Sequence, residues 1–312
     1  MKRVFILLIL GFAIYYLLFT IPRAQAAENI SVTPQILRLD LSKDSPIAVY
    51  SYKNNTRDTI ELALSLQDFK DLGEQGTPSF FAPKSDDSYK YGLASWATLS
   101  TQDVVIAPNE SQDVKVFVQR EKLTLGGHYA AILAELKQTA QGNKEVNLKA
   151  ILASLLFVRS GAEFDREDGK IETFDADNSL FSFPEDFVLR FQNTGNVDVT
   201  PYGLLEVKDV FGRRVAKGIV NENSLISLPE SVRRYSIALA IQAKFVMPGF
   251  YNAHLALHFG QKRKDLVSNV SFFTLGSFGF GGVVALFAVI IVILILKKHK
   301  RNGKTTQNQE QN

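Results

Sequence analysis

Alternation with a period of two residues constrains this chain more than any other feature. Ile60, Leu62, Leu64 and Leu66 alternate with Glu61, Ala63 and Ser65, and Val114, Val116 and Val118 are set among Asp113, Lys115 and Gln119. Phe187, Leu189 and Phe191 bracket Val188 and Arg190, and Tyr235, Ile237, Leu239 and Ile241 bracket Ser236, Ala238 and Ala240. Such a pattern puts one face of an extended chain on a core and the other in water. Turn residues divide the runs: Asn54-Asn55, Pro108-Asn109, Gln141-Gly142-Asn143 and Pro248-Gly249. No stretch between residues 28 and 270 carries a helical period. The expected fold class is all-β.

Landmarks recur in the same order. Gly127-His128-Tyr129-Ala130-Ala131-Ile132-Leu133-Ala134 matches Gly249-Phe250-Tyr251-Asn252-Ala253-His254-Leu255-Ala256 as G-x-Y-x-A-x-L-A. Pro108 to Ser111 and Pro229 to Ser231 precede the two copies, and an Asn-Thr step stands further upstream in each, at Asn55-Thr56 and Asn193-Thr194. This implies two copies of one sandwich unit, each the size of an immunoglobulin-like domain. The acidic residues of 160–178 read as the junction between them.

The termini differ in kind from this middle. Lys2 and Arg3 precede an uncharged run to Ile21, and Pro22-Arg23 then leads to Ala24-Gln25-Ala26. These are the marks of a signal peptide cleaved between Ala26 and Ala27; an uncleaved anchor is the alternative. Residues 271–296 carry no charge, and Lys297, Lys298, Lys300, Arg301 and Lys304 follow. The pattern predicts a membrane helix with its basic end cytoplasmic. The expected organisation is a signal peptide (1–26), two tandem immunoglobulin-like β-sandwiches (27–160 and 161–274), one C-terminal transmembrane helix (275–296) and a basic tail (297–312). The expected location is the plasma membrane, single-pass, with an extracellular ectodomain.

Charge narrows the partners. Of 35 Lys and Arg and 32 Asp and Glu, eight basic residues and one acid lie in the two terminal segments, leaving 27 basic against 31 acidic between them. A mildly acidic body makes nucleic acid a poor partner. The absence of cysteine excludes disulfides and a lipid-bearing cysteine.

The first unit opens a strand with Ser31-Val32-Thr33-Pro34. Tyr52-x-Asn54-Asn55 follows, and Trp96-x-x-Leu99 comes before Ile106-x-Pro108. The second has Phe191-x-Asn193-Thr194-Gly195-Asn196-Val197, Pro201-x-Gly203, Asp209-x-Phe211-Gly212 and Pro248-Gly249-x-Tyr251. On these motifs the chain resembles the WxL-interacting proteins of Gram-positive surfaces, whose first domain is associated with peptidoglycan and whose second is associated with partner proteins. A weaker likeness runs to periplasmic pilus chaperones, which also pair two immunoglobulin-like domains.

Candidate chemistry is sparse. His254 and His258 would stand roughly 13 Å apart along a strand, too far to share a metal ion. The run from Asp165 to Gly169 lacks the alternate spacing of a calcium loop and reads as a solvated linker. No convergent nucleophile, base and stabiliser can be assembled, so no enzyme and no cofactor is expected. Trp96 is expected in a core. Residues 70–95 read as a long loop whose Phe80, Phe81, Tyr89 and Tyr91 could contact a glycan or peptide. Residues 147–158, NLKAILASLLFV, have two apolar faces, Ile151, Ala153, Leu155 and Phe157 on one and Leu152, Ser154, Leu156 and Val158 on the other. Either another element covers the second face, or Leu152 and Leu156 mark an edge strand that docks a partner's strand. The expected function is a membrane-anchored surface scaffold contacting cell-wall glycan or a surface protein. The alternative is a membrane-tethered assembly chaperone acting by strand pairing.

Overall fold

The computed structural model describes residues 30–83, 89–137, 151–161, 163–176, 180–276 and 279–307. The expected cleavage site at Ala26 and Ala27 and residues 147–150 lie outside these.

Ten strands form the first sandwich: β1 (Ile30–Thr33), β2 (Ile36–Asp40), β3 (Ile47–Asn54), β4 (Ile60–Leu72), β5 (Thr77–Phe81), β6 (Ala97–Leu99), β7 (Asp103–Ile106), β8 (Ser111–Val118), β9 (Gly127–Lys137) and β10 (Ile151–Arg159). One sheet has the order β1-β3-β8-β6; the other runs β2-β10-β9-β4-β5, with β7 also on β4. Pro34, which has no N–H to give a ladder, stands where the chain leaves the first sheet for the second. The alternating residues meet as expected: Tyr50, Tyr52, Leu62, Leu64, Val114, Val116, Ile132 and Leu156 share one core. Each buried Leu or Val contributes roughly 1.5–3 kcal/mol. The polar tips of the two tyrosines reach β10, Tyr50 Oη donating to the Leu155 carbonyl at 2.8 Å and Tyr52 Oη lying 3.2 Å from Ser154 Oγ. That strand is thereby fixed from inside.

The second sandwich comprises β11 (Gly169–Ala176), β12 (Asp186–Asn193), β13 (Tyr202–Asp209), β14 (Arg214–Val220), β15 (Val232–Ile241), β16 (Gly249–Phe259) and β17 (Lys264–Thr274). They follow the order β11-β12-β15-β14-β13-β16-β17, and β14 meets β15 over only three residue pairs. Phe187, Leu189 and Phe191 of β12 lie in this core with Tyr235, Ile237 and Phe259.

Asn54 and Asn193 are the true counterparts of the repeat, which places the match one residue before the Asn55-Thr56 step in the first unit. Both side chains are fully buried. Asn54 Nδ2 donates to the carbonyls of Asp58, Ile106 and Ala107, and Asn193 Nδ2 to those of Val197 and Ser227. Each Oδ1 accepts an N–H two residues on, from Thr56 and Gly195. Each amide side chain thus ties the loop after its strand to the body of its sandwich.

Three expectations need correction. Much of residues 70–95 is a hairpin, because β4 runs on to Leu72 and returns as β5 through Gly73 and Gly76, whose φ of +67° and +70° suit glycine. Trp96 is only half-buried; Leu93, Ala94 and Ala97 fill the core beside it. The third concerns the C-terminal helix α1 (Gly279–Gln307), whose apolar side chains from Leu294 to Leu296 are exposed. Among the described residues no helix is long and apolar enough to cross a membrane. The expected C-terminal span is therefore not supported, and the single-pass plasma-membrane location that rested on it is withdrawn.

Candidate functional site

β10 is paired unequally on its two sides. Toward β9 the ladder is continuous from Ile151 to Arg159. Toward β2 it begins only at Leu155, in parallel register with Ile36. The odd-numbered residues turn their backbone groups to the β2 side: Leu155 N–H donates to the Gln35 carbonyl at 2.8 Å, and Leu41 N–H to the Arg159 carbonyl at 3.0 Å. By the same parity the N–H and C=O of Ile151 and Ala153 point out of the sheet edge, where no described strand pairs with them.

The apolar side chains around that edge form a graded surface. Phe157, Tyr129, Phe69 and Tyr91 are buried together, with Leu228 of the second sandwich closing over them. Leu155 and Leu133 are half-buried at the border of this cluster. Beyond them Ile36 is 45% exposed and Ile151 54%. A buried interdomain cluster thus opens into an exposed apolar rim alongside the free backbone of β10.

Charged groups brace the two sandwiches on either side of this cluster. Arg159 Nη2 donates to the Asp198 carbonyl at 2.7 Å, and its guanidinium lies 3.0 Å from Glu167 and 3.5 Å from both Asp165 and Asp198. Asp165 is only 7% exposed in its side chain, so the acidic segment expected as a solvated linker is in fact folded onto an arginine. Burial holds the Asp165 carboxyl above its ordinary range, against the pull of Arg159. Arg38 stacks over Phe157 at 5.4 Å and sits 3.3 Å from Asp198, facing a cleft of about 390 Å³ between the sandwiches. On the far side Glu74 pairs with Arg190, and Tyr91 Oη donates to Glu230 at 2.8 Å. That bond, with Lys90 at 3.2 Å, holds the Glu230 carboxyl below its ordinary range.

The residues singled out from sequence fall in different places. Phe80 and Phe81 are half-buried on β5. Tyr89 donates to the Phe69 carbonyl at 3.0 Å, and Tyr91 is buried. The four rings pack on one another or on Phe69 and Tyr129 rather than standing open. Leu156 is buried in the first core, and Leu152 is half-buried against it. The outward positions of this strand are Ile151 and Ala153, one residue out of phase. Alternation could not reveal this phase, because both faces of the segment are apolar. Arg38, Arg159 and Asp198 carried no sequence signal; they converge only in the folded chain. His254 and His258 pair separately across to β17, with Asn269 at 2.8 Å and Asp265 at 2.6 Å.

No family model matches this chain, and no curated protein does. Among solved structures it is similar to the class 5 fimbriae chaperone CfaA (11% identity, TM-score 0.42, covering 77% of this chain and 98% of that one). It is also similar to the E. coli chaperone DraB (12% identity, TM-score 0.38, covering 80% and 96%) and to a chain of a chaperone–tip adhesin complex of CFA/I fimbriae (10%, 0.41, covering 80% and 100%). These are distant likenesses with TM-scores below 0.5, and they carry no functional weight. The resemblance to WxL-interacting proteins is not upheld, since no family model matches the chain.

Proposed function

We propose that this chain is a non-enzymatic protein-binding module that holds an extended segment of a partner protein along β10, in the manner of an assembly chaperone. The observation that supports it is the one-sided pairing of β10 at Ile151–Ser154 beside the exposed Ile36 and Ile151. An unpaired edge offers alternating donors and acceptors that an extended peptide matches, and neighbouring apolar side chains then select among peptides. The charged braces hold the sandwiches together, so the edge is preorganised and a partner orders only its own segment. The partner of this reading is a surface protein with an exposed β-forming segment. Cell-wall glycan finds less support, since Phe80, Phe81, Tyr89 and Tyr91 spend their ring faces on each other and on the interdomain cluster. A photoreactive residue at position 151, with a control at Val105 (64% exposed on β7), tests this in the cells that make the protein. One discrete adduct from position 151 and none from position 105 is expected. Equal labelling at both, or no adduct, contradicts it.

A further inference from the structure

The two ends of the second sandwich differ in chemistry. At one end its turns are Asn221-Glu222-Asn223-Ser224 and Gly260-Gln261-Lys262-Arg263. At the other stand the β11–β12 loop, the β13–β14 turn, the β15–β16 loop and the last residues of β17. Among the described residues, every exposed phenylalanine of this sandwich lies at that second end: Phe181, Phe211, Phe245, Phe250 and Phe273. Phe211 is 77% exposed and Phe250 63%. Met247 and Val210 are exposed beside them, and Phe211, Phe245, Met247 and Phe250 line one cleft of about 400 Å³. The ring of Phe250 lies 5.1 Å from that of Phe273.

The tips are held by the chain itself. Asp209 accepts the N–H groups of Phe211 at 3.0 Å and Arg213 at 2.9 Å, and Gly212 turns the chain between them with φ of +76°. Phe211 is thereby projected outward from a fixed turn. The nearby cations are already paired, Arg213 with Asp209 at 2.7 Å and Arg214 with Glu206 at 2.6 Å. What this end offers is therefore apolar area more than charge.

Helix α1 leaves from the same end. Leu275 N–H donates to the Leu180 carbonyl at 3.0 Å, and a Cβ on Gly276 would lie 2.4 Å from the Val246 carbonyl oxygen. The chain thus passes between the β11–β12 and β15–β16 loops on its way to the helix. From Val284 to Leu296 every side chain of α1 is apolar and exposed, on all sides of the helix. A polypeptide partner covers one face of a helix, whereas lipid accepts apolar side chains on every face. The apolar loop tips continue that surface.

We infer that this end of the second sandwich docks on a lipid surface, seating Phe211, Met247 and Phe250 at the boundary between headgroups and acyl chains. Exposed apolar patches of this kind mark interaction sites, and aromatic and aliphatic side chains favour that boundary. The contact asks no crossing of a bilayer by α1, and it stands apart from the β10 edge.

A single fluorescent reporter tests it. Trp96 is the only tryptophan, so Trp96→Phe combined with Phe211→Trp leaves one indole, at the tip of the β13–β14 turn. When the full chain is mixed with phosphatidylcholine vesicles, its emission should shift to the blue. Acyl-brominated phosphatidylcholine should quench it, and raised salt should leave both effects in place. Met247→Trp, on a separate loop, should repeat the result in the same background. Val267→Trp, 59% exposed on β17 and about 20 Å along the strand from Phe273, should show neither effect. Vesicles that carry the protein while positions 211 and 247 stay in water would show that α1 alone meets lipid, and would overturn the inference. An equal shift at position 267, or a shift abolished by salt, would overturn it too. A shift that needs no lipid and grows with protein concentration would assign this end to a second copy of the chain instead.

Discussion

Arg159 and Asp198 join the last residue of β10 to the second sandwich through both the main-chain carbonyl, at 2.7 Å, and the carboxylate, at 3.5 Å. The strand that carries the open edge is thus anchored at its far end to the neighbouring domain.

Arg159→Ala removes the central cation from Asp165, Glu167 and Asp198, whose side chains are nearly all out of water. Breaking a buried pair from one side leaves uncompensated charge and costs about 3–5 kcal/mol. Denaturant unfolding of the full chain should show a loss of that order. A change below about 0.5 kcal/mol, the range of ordinary surface substitutions, would mean that water reaches the cluster.

Asp165 sets a pH dependence of known sign. Its folded carboxyl is raised above its ordinary value of 3.8, so the folded chain binds its proton more tightly than the unfolded chain. This residue's contribution to stability therefore rises as pH falls from the raised value toward 3.8, and is lost as pH climbs back through it. Asp165→Asn should remove that slope and raise the melting temperature at neutral pH. A lowered melting temperature there would show the carboxylate to be a net stabiliser.

Asn54→Ala and Asn193→Ala each leave buried carbonyls without their donor. Each should cost about 2–4 kcal/mol, from three carbonyls at Asn54 and two at Asn193 left without this donor, at about 1–3 kcal/mol apiece and softened by relaxation. Exchange rates should show the loss in the sandwich that carries the substitution. Equal loss in both would show that they unfold as a single unit.

The alternating runs were legible because a half-buried strand writes its burial into the sequence: Tyr235 and Ile237 are buried while Ser236 and Ala238 are exposed. The repeat was legible to within a residue, since two asparagines adjoin in the first copy. The phase of β10 was hidden because Ile151 and Leu152 are equally apolar. What separates them is the second sandwich, which covers Phe157 and Leu155 but stops short of Ile151. The Arg159 cluster was hidden for a different reason. Its members come from β10, the connecting segment and the loop after β12, so no local spacing records it. Residues 165–168 have the composition of a solvated linker, and only tertiary contact reveals them as partners of an arginine.

Ala153→Pro tests strand docking at β10 most directly. Proline there removes an N–H that points out of the sheet edge and leaves the ladder to β9 its donors. Capture of the protein crosslinked from position 151 should fall at least tenfold, while the melting temperature of the full chain stays within about 4 °C, the shift expected for a loss near 1 kcal/mol. Undiminished capture by a folded Ala153→Pro chain would contradict strand docking at β10.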